Sequence, residues 1–244
     1  MTLRPLAGSG GSSRLALAAG SLTLAVLAGG CASWADPAAG ARIVDPPAKS
    51  GVRAPAIGQQ WTYRVRNVYN NQIVDEVTER VVQTQPLIRL QRVSRASGAL
   101  ADEVQAPWGM LVQDPHWRYP VTFDKPLPAW PAGLDLTRWT SDSTRYRMLA
   151  APDYSAHWGL TMMPRDWVKV SVPAGTFDAL HYDEVINYQS EDLNVVFSER
   201  MEADWIAPEV GRWVLRRSHG TYYLPGRGSE MLEDYLQWEL ESWR

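Results

Sequence analysis

Two glutamates interrupt otherwise apolar strand faces in the C-terminal half of the chain. At positions 180–188 the even residues are apolar apart from Glu184, and at positions 193–205 the odd residues are apolar apart from Glu199. A two-residue turn at positions 191–192 would place Glu184 directly opposite Glu199 on a neighbouring strand. Two carboxylates in a dry site repel each other, so one tends to keep a proton, and such a pair can do acid–base chemistry. Their separation would also suit a retaining glycosidase.

The last two strand-like runs extend this pair to a polar belt. A hairpin centred on positions 226–227 would place His219 opposite Asp234, and the preceding corner allows either Arg217 or His219 to face Glu199. The belt has two interpretations. In the first, it lies at the mouth or floor of an apolar cavity, where it recognises a ligand headgroup or acts as an acid–base pair. In the second, it marks the level at which the sheet leaves the core and its side chains meet water.

Tryptophan is unusually common, with twelve residues against three phenylalanines. Four tryptophans fall on apolar strand faces, which predicts a role in the core or in the wall of a ligand cavity: Trp61, Trp205, Trp213 and Trp238. Five others lie in or beside predicted loops, where they either pack onto the domain, stack on sugars or insert into a bilayer interface: Trp108, Trp117, Trp130, Trp139 and Trp158.

Several chemistries lack their residue patterns. The four histidines show no HExxH or other close metal-ligand spacing, and no G-x-S-x-G nucleophile elbow occurs. A single cysteine, Cys31, excludes an intramolecular disulfide and a cysteine-based metal site. We therefore expect no metal, no cofactor and no catalytic residue.

The sequence around these residues predicts β-strands. Period-two alternation runs from Gly58 to the C-terminus, which predicts one all-β domain at residues 58–244, built as a single antiparallel curved sheet or incomplete barrel. The run at 230–243 is also predicted to be a strand, although three leucines in it have helical spacing. Five prolines and three tryptophans interrupt the pattern at 114–142 and predict a long loop, which is either functional or a packed crossover.

The N-terminus has the layout of a secretory signal peptide. Arg4 and Arg14 precede an apolar run at 15–28, and Gly29 and Gly30 precede Cys31. The site resembles a bacterial lipobox, in which the cysteine sulfur is acylated, although the leucine lies four rather than three residues before the cysteine. We expect a signal peptide at 1–30, lipid attachment at Cys31 and a flexible tether at 31–57. Because no aspartate follows Cys31, we expect the periplasmic face of the outer membrane.

The charge balance disfavours one class of partner. Of 24 basic residues, Arg4 and Arg14 lie in the predicted signal peptide, which leaves 22 against 27 acidic residues and a net charge near −5. Nucleic-acid binding needs a basic face, so we expect no nucleic-acid partner.

Two segments resemble a broad group of bacterial envelope proteins of unknown function. The first is Val-Pro-Ala-Gly-Thr-Phe at 172–177, and the second is Trp-Ile-Ala-Pro-Glu-Val-Gly at 205–211. The resemblance implies a curved, incomplete barrel similar to the half-barrel of periplasmic lipoprotein carriers. It implies no activity. Both segments also suit tight reversals, because proline fixes one φ angle and glycine permits a positive one.

Three functions remain as hypotheses. The first is a membrane-anchored, non-catalytic lipoprotein that binds an apolar or amphipathic ligand, such as a lipid, in its concave face. The second is an envelope assembly or scaffolding protein that docks a protein partner. The third is a glycan hydrolase that uses Glu184 and Glu199. A continuous apolar cavity would favour the first hypothesis, and a filled barrel with an exposed tryptophan would favour the second.

Overall fold

Alternating residues form strands along most of the chain. The computed structural model describes residues 36–39, 41–48, 51–117, 119–189, 198–223 and 230–244. The strands are β1 (Arg42–Ile43), β2 (Gln60–Asn67), β3 (Gln72–Gln83), β4 (Ile88–Ser94), β5 (Gly98–Ala99), β6 (Glu103–Gln105), β7 (Met110–Asp114), β8 (Val121–Pro128), β9 (Thr140–Met148), β10 (Ala151–Val172), β11 (Gly175–Tyr188), β12 (Ser198–Ala207), β13 (Arg212–Tyr223), β14 (Glu230–Leu232) and β15 (Leu236–Trp243).

The strands form one antiparallel sheet that closes on itself. The pairing order is β10-β11-β12-β13-β15-β2-β3-β4-β6-β7-β8-β9, and β9 pairs back to β10. Closure is possible because β10 has 22 residues, of which Ala151–Met162 pair with β9 and Trp158–Val172 with β11. The predicted all-β curved sheet is confirmed. It goes further than an incomplete barrel, since the ring of pairings is complete and leaves few free strand edges.

Ion pairs identify the face of the sheet that points inward. Arg212 on β13 binds Glu103 on β6, although β15, β2, β3 and β4 separate these two strands in the sheet. The contact therefore crosses the barrel. Strand alternation then places Tyr182, Glu184 and Asp204 on the inner face, and their sequence neighbours on the outer one.

Aromatic side chains pack much of the core. Trp158 contacts Trp117, Phe123 and Tyr146, with ring centroids 4.5, 5.1 and 5.1 Å apart. A larger cluster includes Tyr63, which stacks on Trp213 at 4.0 Å. Edge-to-face and offset contacts of this kind stabilise beyond the area that they bury.

Two segments whose sequence pattern was ambiguous contain strands. The run at 230–243 forms strands β14 and β15, as predicted. The Pro/Trp-rich segment at 114–142 contains β8 and a 3-10 turn at Ala132–Leu134, so part of it belongs to the barrel wall.

The described part of the segment predicted as a tether lies against this barrel. Asp36 forms an ion pair with Arg217, and β1 pairs with β10. The backbone N–H of Val44 donates to the carbonyl of Trp167, and that of Arg53 donates to the carbonyl of Pro208. These bonds fix the chain at several points between positions 36 and 53.

The predicted signal peptide and Cys31 lie outside the described residues. Within the described ranges, no helix is long and apolar enough to cross a membrane.

Candidate functional site: a charged network inside the barrel

Charged side chains occupy much of the inner face. We name this set the interior charge network, and its members are buried or nearly so: Glu79, Arg92, Glu103, Asp114, His116, Glu184, Arg200, Glu202, Asp204, Arg212 and Arg216. Buried charges are costly unless they are paired and hydrogen-bonded. The pairing differs between two parts of the network.

The first part centres on Arg212, which is 2% exposed. Its Nη1 and Nη2 donate to both carboxylate oxygens of Glu103, at 3.0 and 2.6 Å, and its Nε donates to Glu79 Oε2 at 2.8 Å. Arg92 Nε donates to the other oxygen of Glu79 at 2.9 Å. The guanidinium of Arg212 also lies 5.6 Å from the ring centre of Trp61. Such bidentate, charge-assisted bonds are among the strongest in proteins.

His116 joins this part through both ring nitrogens. Nδ1 lies 2.9 Å from Asp114 Oδ1, and Nε2 lies 3.0 Å from Glu79 Oε1. A neutral imidazole donates from only one nitrogen, whereas an imidazolium donates from both. The two-sided contact with carboxylates therefore suits the imidazolium.

Electrostatics hold Glu79 and Asp114 in the charged form. Burial alone would raise the pKa of Glu79, but Arg212, His116 and Arg92 hold that pKa well below its ordinary value. Burial likewise opposes ionisation of Asp114, and the hydrogen bond and charge of His116 lower its pKa. This part of the network is thus fully paired.

The second part has fewer positive partners. Glu184 on β11 lies opposite Glu202 on β12, and one carboxylate oxygen from each of Glu184, Glu202 and Asp204 falls within 4.8 Å of the others. Arg216 forms ion pairs with Glu202 and, at 3.6 Å, with Asp204. Arg200 Nε lies 3.1 Å from Glu202.

Repulsion and burial favour the protonated forms of Glu184 and Asp204. Burial, followed by the charges of Asp204 and Glu202, raises the pKa of Glu184 well above its ordinary value. Burial and Glu202 raise the pKa of Asp204 to about 8, against the opposing effect of Arg216. A carboxyl group with such a pKa is a candidate functional group by position and chemistry.

A small cavity of about 40 Å³ lies between the two parts of the network. Its lining includes Asp114, Glu184, Asp204, Arg212 and Arg216. Binding sites for small molecules usually measure about 300–1,000 Å³, so this cavity accepts water rather than an organic ligand.

Two groups of three side chains have the geometry to approach a metal ion. The first, Glu79, Glu103 and His116, is already saturated by Arg212 and Arg92. The second group, Glu184, Glu202 and Asp204, has the acceptor oxygens. Two of these side chains, Glu202 and Asp204, already form ion pairs with Arg216.

The glutamate pair predicted from the sequence does not form. The register pairs Glu184 with Glu202, whereas Glu199 pairs with Asn187 and Thr221 and lies on the opposite face. The predicted turn at 191–192 lies outside the described residues. Because Glu199 is not beside Glu184, the acid–base pair required by the glycan hydrolase hypothesis is not present.

The rest of the predicted belt is also dispersed. Arg217 lies on the outer face, where it donates to Gln237 and pairs with Asp36. His219 is exposed and packs beside the ring of Tyr235 at 5.0 Å. Asp234 is exposed in the connection between β14 and β15. Of the predicted belt, only Glu184 belongs to the interior charge network.

The four tryptophans predicted as core or cavity wall are all buried. Trp213 and Trp238 contact the network, because the guanidinium of Arg212 lies 5.5 Å from the ring of Trp213 and that of Arg92 lies 5.8 Å from the ring of Trp238. Trp205 lies on the other face, where it stacks on His181 at 4.5 Å.

Sequence reasoning missed most of the network because it assigned the apolar parity of β12 to the interior. Ala203 and Trp205 share the odd parity but face outward, while Arg200, Glu202 and Asp204 share the even parity and face inward. The available signal was the Arg-x-Glu-x-Asp alternation, which complements Arg216 on the next strand.

A second candidate site is an open groove of about 510 Å³. Its lining includes Pro46, Pro47, Leu134, Leu136, Arg138 and Trp167. Leu134 adopts a left-handed backbone with φ of 53°, which is rare for a bulky residue, and its buried side chain packs in one cluster with Trp167. The groove is thus shaped by the segment after β8, the N-terminal segment and β10.

Comparisons with known proteins address the fold. No protein-family model matches the chain, and no curated protein matches it in sequence. A solved structure from Bacteroides fragilis, named as an exported protein with a YmcC-like fold, has 13% identity and a TM-score of 0.50 and covers 80% of this chain and 99% of that one.

Two further solved structures have lower TM-scores. One from Parabacteroides distasonis, whose name assigns it to the lipoproteins, has 12% identity and a TM-score of 0.49, covering 78% of this chain and 97% of that one. The hypothetical lipoprotein YmcC from Escherichia coli has 10% identity and a TM-score of 0.40, covering 78% and 88%. At these identities the likeness concerns the fold, and the chain has the fold of the Bacteroides fragilis exported protein.

Proposed function

We propose that this protein is a lipoprotein of the bacterial envelope, held at the periplasmic face of the outer membrane by acyl groups on Cys31, that binds an apolar or amphipathic ligand without catalysis. The N-terminal layout supports the anchor, and the fold shared with an exported protein is consistent with the envelope. The ligand site is the part of the proposal that depends on geometry.

The observation that carries the proposal is the open groove of about 510 Å³. The inner face of the described barrel has charged side chains and a cavity of only about 40 Å³, which is too small for an acyl chain. The concave face therefore does not suit the ligand expected from the sequence. The groove has a volume within the range of ordinary ligand sites.

The groove lining matches a ligand with an apolar body and a polar end. Pro46 and Leu136 provide exposed apolar surface, and Leu134 and Trp167 are buried in the groove wall. Asp135 and Arg138 provide charges of both signs. Leu136 is 37% exposed, so covering it with ligand would remove apolar surface from water.

Fluorescence quenching by a brominated lysophospholipid tests this assignment. A brominated acyl chain in the groove should quench tryptophan emission, because Trp167 is in the lining. Leu136→Glu should weaken binding about tenfold or more, since it replaces apolar contact with a charge that must be desolvated. Leu149→Glu is the matched control, because Leu149 is 42% exposed and lies outside the groove.

Equal binding by the wild type and Leu136→Glu would exclude the groove as the ligand site. The absence of quenching in all three proteins would instead favour the second function, docking of an envelope protein. One observation supports that alternative: Trp139, close in sequence to the groove residues, is 65% exposed while the barrel interior is filled.

A further inference from the structure

Glu184 is a buried carboxyl group without a direct partner. It is 7% exposed, and it makes no hydrogen bond or ion pair with any residue in the described ranges. Leaving a buried polar group unsatisfied is costly, and a lone buried carboxylate is more costly still. Some other species must therefore stabilise it.

Its neighbours offer acceptors rather than donors. Oδ1 of Asp204 is buried and has no hydrogen-bond donor in the described part of the chain, and Oε1 of Glu202 forms an ion pair with Arg200 Nε at 3.1 Å without a hydrogen bond. An ionised Glu184 would add a third acceptor to this group. A protonated Glu184 would instead supply one O–H donor, which Oδ1 of Asp204 lacks.

The charge balance of the whole network leads to the same conclusion. Four arginines face six carboxyl groups, and His116 can add at most one further positive charge. Even with an imidazolium at His116, the carboxylates exceed the cations by one. One neutral carboxyl group, or one additional positive charge, completes the balance.

A metal ion is a poor candidate to supply the missing positive charge. Ca²⁺ takes about six to eight oxygen ligands, and Mg²⁺ keeps several waters, whereas the cavity of about 40 Å³ has space for about one to three waters. The guanidinium of Arg216 already pairs with Glu202 and Asp204 and would repel a cation. A divalent ion would also exceed the deficit of one charge, whereas a proton needs neither space nor further ligands.

We propose that Glu184 and Asp204 hold one proton between them inside the barrel, and that the folded state loses stability as the pH rises because unfolding releases this proton. The titratable and charged groups around this pair are Tyr182 on β11, Arg200 and Glu202 on β12, Arg212 and Arg216 on β13, Glu103 on β6, Asp114 at the end of β7 and His116 after it. This inference does not depend on the ligand groove.

The sign of the pH dependence follows from the raised pKa values of both groups. An unfolded chain releases these protons near pH 4, whereas the folded barrel keeps one until about pH 8. Between these limits the folded state binds one more proton, so unfolding becomes tenfold more favourable per pH unit.

Urea unfolding of the full-length mature protein between about pH 5 and pH 7.5 tests the proposal. We expect the logarithm of the unfolding constant to rise by about one more unit per pH unit in the wild type than in Glu184→Gln, because a glutamine amide can donate as the protonated carboxyl group would but does not ionise. Glu199→Gln is the control, since Glu199 lies on the opposite face of the adjacent strand. It should keep the wild-type slope.

Equal slopes for the wild type and Glu184→Gln would overturn the proposal. If Glu184→Gln does not fold, infrared spectroscopy of the wild type at pH 7 provides a second test. A carbonyl band of a protonated carboxyl group should be present and should disappear in Asp204→Asn. Its absence from the folded wild type would also overturn the proposal.

Discussion

Arg212 shows how a charge can be tolerated in the centre of a small barrel. It contacts Glu79, Glu103 and the rings of Trp61 and Trp213, so nearly every polar atom of the guanidinium has a partner. An ion pair of this kind adds little net stability relative to an apolar core, but the loss of one partner leaves the other charges uncompensated.

Replacing this arginine should therefore strongly destabilise the folded state. We expect Arg212→Met to lower the free energy of unfolding by about 3–5 kcal/mol, because Glu79 and Glu103 would remain buried without their main cation. Urea unfolding at neutral pH measures the loss. Arg80→Met is the control, since Arg80 is exposed, and it should change stability by less than about 0.5 kcal/mol. Similar losses in both variants would contradict the structural importance of the pair.

At the scale of elements, the β12–β13 hairpin also holds the N-terminal segment. Gly211, just before β13, has φ of 78°, and a Cβ atom there would lie 2.8 Å from the carbonyl oxygen of Arg53. Arg53 in turn donates its N–H to Pro208 in the same reversal. The turn is thus shaped both for its own reversal and for close approach of another segment.

Substitution of this glycine should separate those two roles. We expect Gly211→Ala to cost about 1–2 kcal/mol for the left-handed backbone and a further loss for the contact with Arg53. Gly98→Ala is matched, because Gly98 has φ of 81° and an added Cβ there would meet no atom within 4 Å, so it should show only the backbone cost.

Thermal unfolding gives the stability of both variants, and limited trypsin digestion reports release of the segment. Cleavage after Arg53 should be faster in Gly211→Ala than in Gly98→Ala. Equal cleavage rates would mean that the contact does not hold the N-terminal segment.

The sequence predicted elements better than it predicted their register. Alternation identified the strands of the C-terminal half, and the hairpin centred on 226–227 has the pairing that the sequence predicted, with Thr221 opposite Leu232. That register does not extend to β15, where Arg217 pairs with Gln237. The three residues between β14 and β15 shift the pairing by one position.

The candidate site was harder to predict because apolar residues are not confined to the inner face. His181 covers Trp205 on the outer face, and the hairpin of β10 and β11 contributes Val168, Phe177 and Ala179 to the same apolar cluster as Trp205. The inner face of this barrel contains charged side chains that pair with one another. The assumption that the apolar residues of an alternating strand face the interior therefore assigns the wrong face to β12. Only tertiary contacts such as Arg212 with Glu103 identify the inward face.

At the scale of the whole molecule, the proposed anchor can be tested separately from any ligand. We expect Cys31→Ser to release the protein from membranes into the soluble periplasmic fraction, because a serine cannot take the thioether-linked lipid on which stable attachment depends. Cell fractionation followed by immunoblotting measures the distribution. Alanine at Ser33 is the control and should remain attached. Membrane attachment of Cys31→Ser would exclude the lipoprotein proposal.

Contacts of Asp36, Val44 and Arg53 with the barrel also limit how far the barrel can lie from the proposed lipid anchor. If lipid is attached at Cys31, only five residue steps separate it from Asp36, which span at most about 18 Å when fully extended. The domain of the proposed lipoprotein would then stay close to the bilayer surface. A ligand or partner from elsewhere in the periplasm would have to travel to the membrane surface to meet it.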